Sequence, residues 1–71
     1  MDITQYMVKA LIYPNGEYRL GVPVKIIDEG SFYRIDGTHI FDKHKIRGVR
    51  RDGEKVEIEM TDKTVVLVVV Q

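Results

Sequence analysis

The sequence predicts an all-β fold, a small antiparallel meander that closes into an SH3-like barrel. Three observations carry this expectation. Turn-forming residues recur at short intervals, at Pro14-Asn15-Gly16, Glu29-Gly30, Asp36-Gly37, Asp52-Gly53 and Asp62-Lys63. The runs between them are rich in Val, Ile, Tyr and Phe, the residue types that favour strands. No ten-residue helical pattern separates the middle runs, which disfavours an OB fold, and glycine at nearly every corner suits a strongly bent sheet. An open bent sheet is the alternative architecture.

The strands are expected near 6–13, 18–27, 31–35, 38–42, 44–50, 54–60 and 64–70, as one domain over 1–71. The first residues also carry a competing signal for a short helix: Asp2 as N-cap, Gln5 three residues on, and Ile3, Tyr6, Met7, Ala10 and Leu11 on one helical face. The hairpin signal at Asn15-Gly16 favours a strand. At this first hairpin, Pro14 suits the first corner of a type I turn and Gly16 the left-handed position after it. That register sets Ile12 against Tyr18, Ala10 against Leu20, Val8 against Val22 and Tyr6 against Val24 on one core-facing stripe.

Two-residue turns at Glu29-Gly30 and Asp36-Gly37 carry the stripe through Ile26, Tyr33, Ile35 and Ile40, and stack Ile27, Phe32 and Phe41 on the opposite face. For "RGVRRDGEKVEIE", a three-residue loop of Arg51, Asp52 and Gly53 sets Arg50 against Glu54, Arg47 against Glu57, Lys45 against Glu59 and Ile46 against Ile58. This register is preferred because opposed opposite charges stabilise a strand pair and opposed like charges destabilise it. The last hairpin then sets Val56, Ile58 and Met60 against Val69, Leu67 and Val65. Val66, Val68 and Val70 point the other way.

Composition narrows the function. A chain of 71 residues buries only about 60% of the surface its unfolded form exposes, so its core is small. It has no cysteine, which excludes disulfides and thiolate metal sites. Eleven Lys and Arg balance eleven Asp and Glu, so no long-range field draws it to nucleic acid or an anionic membrane. The segment "MDITQYMVKALIY" lacks the basic leader pattern of a secreted chain and Val65 to Val70 is far too short to span a bilayer, so the expected location is the cytoplasm, with no membrane partner.

Catalytic chemistry is poorly represented. There is one serine, Ser31, no cysteine, two histidines, and no recognisable nucleophile with a base and an orienting group. Glu57 and Glu59 share a strand face, where their expected partners make them an ion-pair ladder. His39, Asp42 and His44 are of metal-ligating type but match no known spacing and lack an evident fourth ligand. No enzyme activity, cofactor or metal is expected.

Two binding functions remain. The stretch "KHKIRGVRR" places Lys43, Lys45, Arg47, Arg50 and Arg51 together without an acid, a pattern that can track the backbone of a single-stranded nucleic acid. The acidic strand expected opposite it neutralises much of this charge, so it is the alternative. The leading expectation comes from "KTVVLVVVQ". Six consecutive apolar residues make a strand apolar on both faces, and the second face is covered either internally, by sharp coiling of the terminal strand or by the N-terminal segment folding over it, or by a partner. The function expected from it is the second: a protein partner, or a second copy of the chain, bound through the C-terminal strand. The expected contact residues are Val66, Val68, Val70, Ile27, Phe32 and Phe41.

Overall fold

The computed structural model describes residues 2–35, 37 and 39–71, with the backbone alone for His39. The described residues form eight strands in order: β1 (Tyr6–Tyr13), β2 (Gly16–Lys25), β3 (Ile27–Asp28), β4 (Phe32–Ile35), β5 (His39–Asp42), β6 (Ile46–Asp52), β7 (Lys55–Met60) and β8 (Val65–Val70). A single 3-10 turn, Lys43–Lys45, joins β5 to β6, with the Asp42 carboxylate accepting from the His44 backbone N–H. The described residues contain no α-helix, so the first residues take the strand reading. No helix is long and apolar enough to cross a membrane among the described residues.

All pairings are antiparallel, in a five-stranded sheet of order β2-β1-β8-β7-β6 and a three-stranded sheet of order β3-β4-β5. The two sheets share one apolar core but do not join into a closed barrel. The expected SH3-like closure is thus not formed, and the all-β antiparallel part of the expectation stands.

The C-terminal strand is the centre of the larger sheet, hydrogen-bonded to β1 on one side and β7 on the other. Its inner residues Val66 and Val68 are each only 1% exposed and pack with Val8, Leu11, Val56 and Ile58. Ile26, Tyr33 and Ile35 close the core from the smaller sheet, and the fully buried Ile3 fills it from the N-terminal arm. That arm is held by a turn in which Asp2 accepts from the Thr4 N–H and hydroxyl, and by Gln71, whose backbone N–H donates to the Gln5 carbonyl and whose side-chain amide donates to the Thr4 carbonyl.

The turns overturn several expected registers. Between β7 and β8 the loop has three residues, Thr61, Asp62 and Lys63, with Lys63 in the left-handed conformation at φ 73°. Val56 therefore faces Val68 and Ile58 faces Val66. A shift of one residue moves every side chain of a strand to the other face, so Val65, Leu67 and Val69 lie outside. Between β6 and β7 the loop has two residues, with Gly53 at φ 64°, where a glycine has no Cβ to clash. Arg50 faces Glu57, and Arg47 is an extra residue between the Ile46–Met60 and Gly48–Glu59 pairs.

In the first hairpin Tyr13 pairs with Gly16 across Pro14-Asn15, and the register then jumps around Lys9. The extra residues 20 to 23 of β2 surround Gly21 and Pro23, and proline inside a sheet sits at an edge or a bulge. Val22, within that stretch, and Tyr18, both expected in the core stripe, are exposed. In the smaller sheet Ile35 pairs with His39, so three residues separate β4 from β5 rather than two. Of that turn, Asp36 and Thr38 lie outside the described residues. Phe41 consequently shares the inner face with Tyr33, their ring centroids 5.8 Å apart, while Ile27, Phe32 and Ile40 lie on the outer face.

Candidate functional site

The outer face of the five-stranded sheet follows from the same alternation. Val65, Leu67 and Val69 form its central row; Ile12, Ala10 and Met7 of β1 stand beside them in register, and Glu59 and Glu57 of β7 stand on the other side. Val65, Leu67, Val69, Met7 and Ile12 are all half-buried. They make one partly exposed apolar stripe down the middle of the outer face, with Ala10 fully buried among them.

Charges frame the stripe on both flanks. On β2 the Arg19 guanidinium binds Glu17 at 3.1 Å. On β6 and β7 Arg50 donates to Glu57 at 2.9 Å and lies 3.8 Å from Glu59, and the Lys55 ammonium lies 3.8 Å from the second oxygen of Glu57. Glu57 is the most covered of these charged groups, shielded by its two basic neighbours. The pairs are exposed enough that each contributes about 1 kcal/mol or less to stability. Their larger effect is to hold long charged side chains away from the apolar row. Lys25, in register with Met7, and Asp52, in register with Lys55, complete a frame of both signs.

The six predicted contact residues do not form one surface. Val66 and Val68 belong to the core, and the reason is the three-residue turn at Lys63. Val70 is 57% exposed at the end of β8, opposite Tyr6. Ile27, 52% exposed, and Phe32 lie on the outer face of the other sheet, and Phe41 lies beneath them on the inner face. Edge pairing through the C-terminal strand is also corrected, because both edges of β8 are already hydrogen-bonded. Its apolar outer row, Val65, Leu67 and Val69, was assigned to the core by sequence. The signal that both faces of "VVLVVV" are apolar was correct; the phase was not.

The basic stretch is divided among different parts of the surface. Lys43 binds Asp28 at 2.7 Å and lies 4.8 Å from the centre of the Tyr33 ring. Arg51 donates to the Tyr6 hydroxyl at 2.6 Å and lies 5.7 Å over its ring. Arg50 belongs to the ion-pair frame, Arg47 to the bulge, and Lys45 lines a cleft between the sheets. The expected cross-strand ladder therefore exists through Arg50, not through Arg47 and Lys45. Among the described residues no three His, Cys, Asp or Glu side chains gather to hold a metal.

Three carboxylates titrate below the ordinary 3.8: Asp62 through hydrogen bonds from the Thr64 backbone and hydroxyl, Asp28 through Lys43 and the Gly30 N–H, and Asp2 through Thr4. A carboxylate whose folded value is depressed contributes its full stability above the unfolded value and loses it as pH falls through the folded value. The melting temperature is accordingly expected to hold between pH 7 and pH 5 and to fall below about pH 4. Thermal unfolding followed by circular dichroism checks this. Asp62→Asn should shrink the drop below pH 4; an identical pH profile in that variant would remove Asp62 from the explanation.

No protein family model, no curated protein and no solved structure matches the chain.

Proposed function

We propose that the chain is a non-enzymatic β module whose function is association, and that it pairs with a second copy of itself through the outer face of the five-stranded sheet. The observation that carries the reading is the partly exposed apolar row Val65, Leu67 and Val69, extended by Met7 and Ile12, on the outer face of the sheet. Uncovered apolar rows of this kind, rimmed by polar residues, are the usual form of a protein interface.

The charges favour a second copy over a foreign partner. Glu17, Asp52, Glu57 and Glu59 are matched on the same face by Arg19, Lys25, Arg50 and Lys55. A partner of one sign gains nothing from such a frame. A second copy brings the same mixture of signs, and a two-fold arrangement closes the assembly with one self-complementary patch. The alternative of a single-stranded nucleic-acid-binding module has less support, since the five basic residues do not line one groove and three of them already have local partners.

Sedimentation equilibrium of the wild type and of Leu67→Lys tests the reading. The wild type is expected to dimerise reversibly, and the variant to remain folded with association weakened at least about thirtyfold, the effect of losing a central contact of about 2 kcal/mol. A wild type that stays monomeric up to about 1 mM, the range of the weakest specific contacts, contradicts it. So does a Leu67→Lys variant that associates as tightly as the wild type.

A further inference from the structure

A second feature, separate from the sheet face, is a cleft of about 400 Å³ between the two sheets. Its size falls in the range of ligand sites, about 300–1,000 Å³. Leu11 of β1, Val66 of β8 and Met60 of β7 give it an apolar wall. The opposite wall is the smaller sheet: Ser31, Phe32 and Ile35 line it from the β4 side, and three successive residues of β5, Ile40, Phe41 and Asp42, line it as well. Successive side chains of a strand point to opposite faces. A cavity on one face of β5 touches only alternate residues, so a cavity lined by all three runs along the edge of the strand.

That edge is unpaired. Among the described residues, β5 is hydrogen-bonded to β4 on one side and to no strand on the other. The cleft thus lies where the sheets fail to close into a barrel, with a row of backbone donors and acceptors on one side and an apolar wall on the other. An extended backbone satisfies the first and an apolar side chain the second. The polar mouth adds a preference of sign. Asp42 and Asp62 bring two carboxylates against the single ammonium of Lys45, and each carboxylate has one oxygen engaged by a backbone N–H, from His44 and Thr64.

We infer that this cleft binds an extended peptide segment of a partner protein, added as a strand to the free edge of β5, with an apolar side chain in the cleft and a Lys or Arg beside it at the acidic mouth. Main-chain hydrogen bonds supply affinity in such strand addition, and the pocket for alternate side chains supplies sequence preference.

The test uses random dodecapeptides displayed on phage and selected against the folded chain, followed by titration of the enriched synthetic peptides into isotope-labelled protein watched by NMR. The expected result is a consensus of an apolar residue with Lys or Arg one or two positions away, with amide shifts at Ile40, Phe41 and Asp42 and slowed amide exchange along β5. Ile40→Glu, at an exposed position that the fold does not need, and Asp42→Lys are each expected to weaken binding at least about tenfold. Leu67→Lys on the sheet face is expected to leave it unchanged. Selection without enrichment, a consensus lacking basic residues, or shifts confined to Val65, Leu67 and Val69 would overturn the inference. Selection without enrichment, or a consensus lacking basic residues, leaves dimerisation of the sheet face untouched; sedimentation equilibrium tests that separately.

Discussion

Val68→Lys is expected to unfold the domain, whereas Leu67→Lys, the same change one residue earlier, is expected to leave it folded. Val68 is in the central strand of the larger sheet, with Val8 beside it on β1 and Val56 beside it on β7. The smaller sheet covers it from above, and it is almost wholly buried. A lysine here has no route for its ammonium to reach water, because paired strands flank it on both sides. Burying an unpaired charge costs several kcal/mol even after relaxation. The whole stability of a chain of this length is of the order of 4–10 kcal/mol. Circular dichroism should show loss of the β spectrum for Val68→Lys at 25 °C and its retention for Leu67→Lys. A folded Val68→Lys protein with native-like melting would contradict the structure.

Ile58→Ala is expected to lower stability by about 2–5 kcal/mol, the range for truncating a large aliphatic side chain in a core that cannot collapse around the gap. Ile58 is 0% exposed and faces Val66 on β8 and Val49 on β6. Its β-branched neighbours are stiff, so little relaxation is available to fill the space. With an m-value near 1 kcal/mol/M, typical of a small domain in urea, the unfolding midpoint should fall by roughly 2 M or more. A midpoint shift corresponding to less than about 1 kcal/mol would show that the centre of the core lies elsewhere.

These two residues also show how far the sequence could be read. Most strands were legible, because composition and turn signals act locally: β1, β4, β5, β7 and β8 begin and end within a residue or so of the expected bounds, whereas the single strand expected over 18–27 is split into β2 and β3, which belong to different sheets. Register was not legible, since it depends on turn length. The pairs expected for the last hairpin imply a two-residue turn at Asp62-Lys63, and no glycine or asparagine there signals the left-handed residue that closes a longer loop. Lys63 takes that conformation, with its N–H donating to the Met60 carbonyl, and the added residue reverses both faces of β8. Phe41 was misplaced in the same way by one residue in the β4–β5 turn.

Other departures left partial signals. Pro23 and Gly21 within an expected strand are signs of an irregular edge, and they mark the part of β2 that leaves register. The bulges at Lys9 and Arg47 had no comparable mark. Charge was informative about chemistry but not about pairing: Glu57 and Glu59 do form an ion-pair ladder, with Arg50 as the common partner. The split into two sheets, and with it the cleft beside β5, depends on how the middle strands pack against the core. No local pattern in the sequence specifies that.

Both the core and the proposed interface depend on the phase of the C-terminal strand, and the absence of cysteine makes that phase directly measurable. Leu67→Cys and Val68→Cys give two single-thiol proteins, each to be labelled with a maleimide under native conditions, well below the concentration at which the wild type associates. The structure predicts rapid labelling at position 67 and labelling at least about tenfold slower at position 68, where the thiol becomes accessible only when the strand opens. Equal rates, or faster labelling at position 68, would place Val66 and Val68 outside and contradict both the core and the proposed interface.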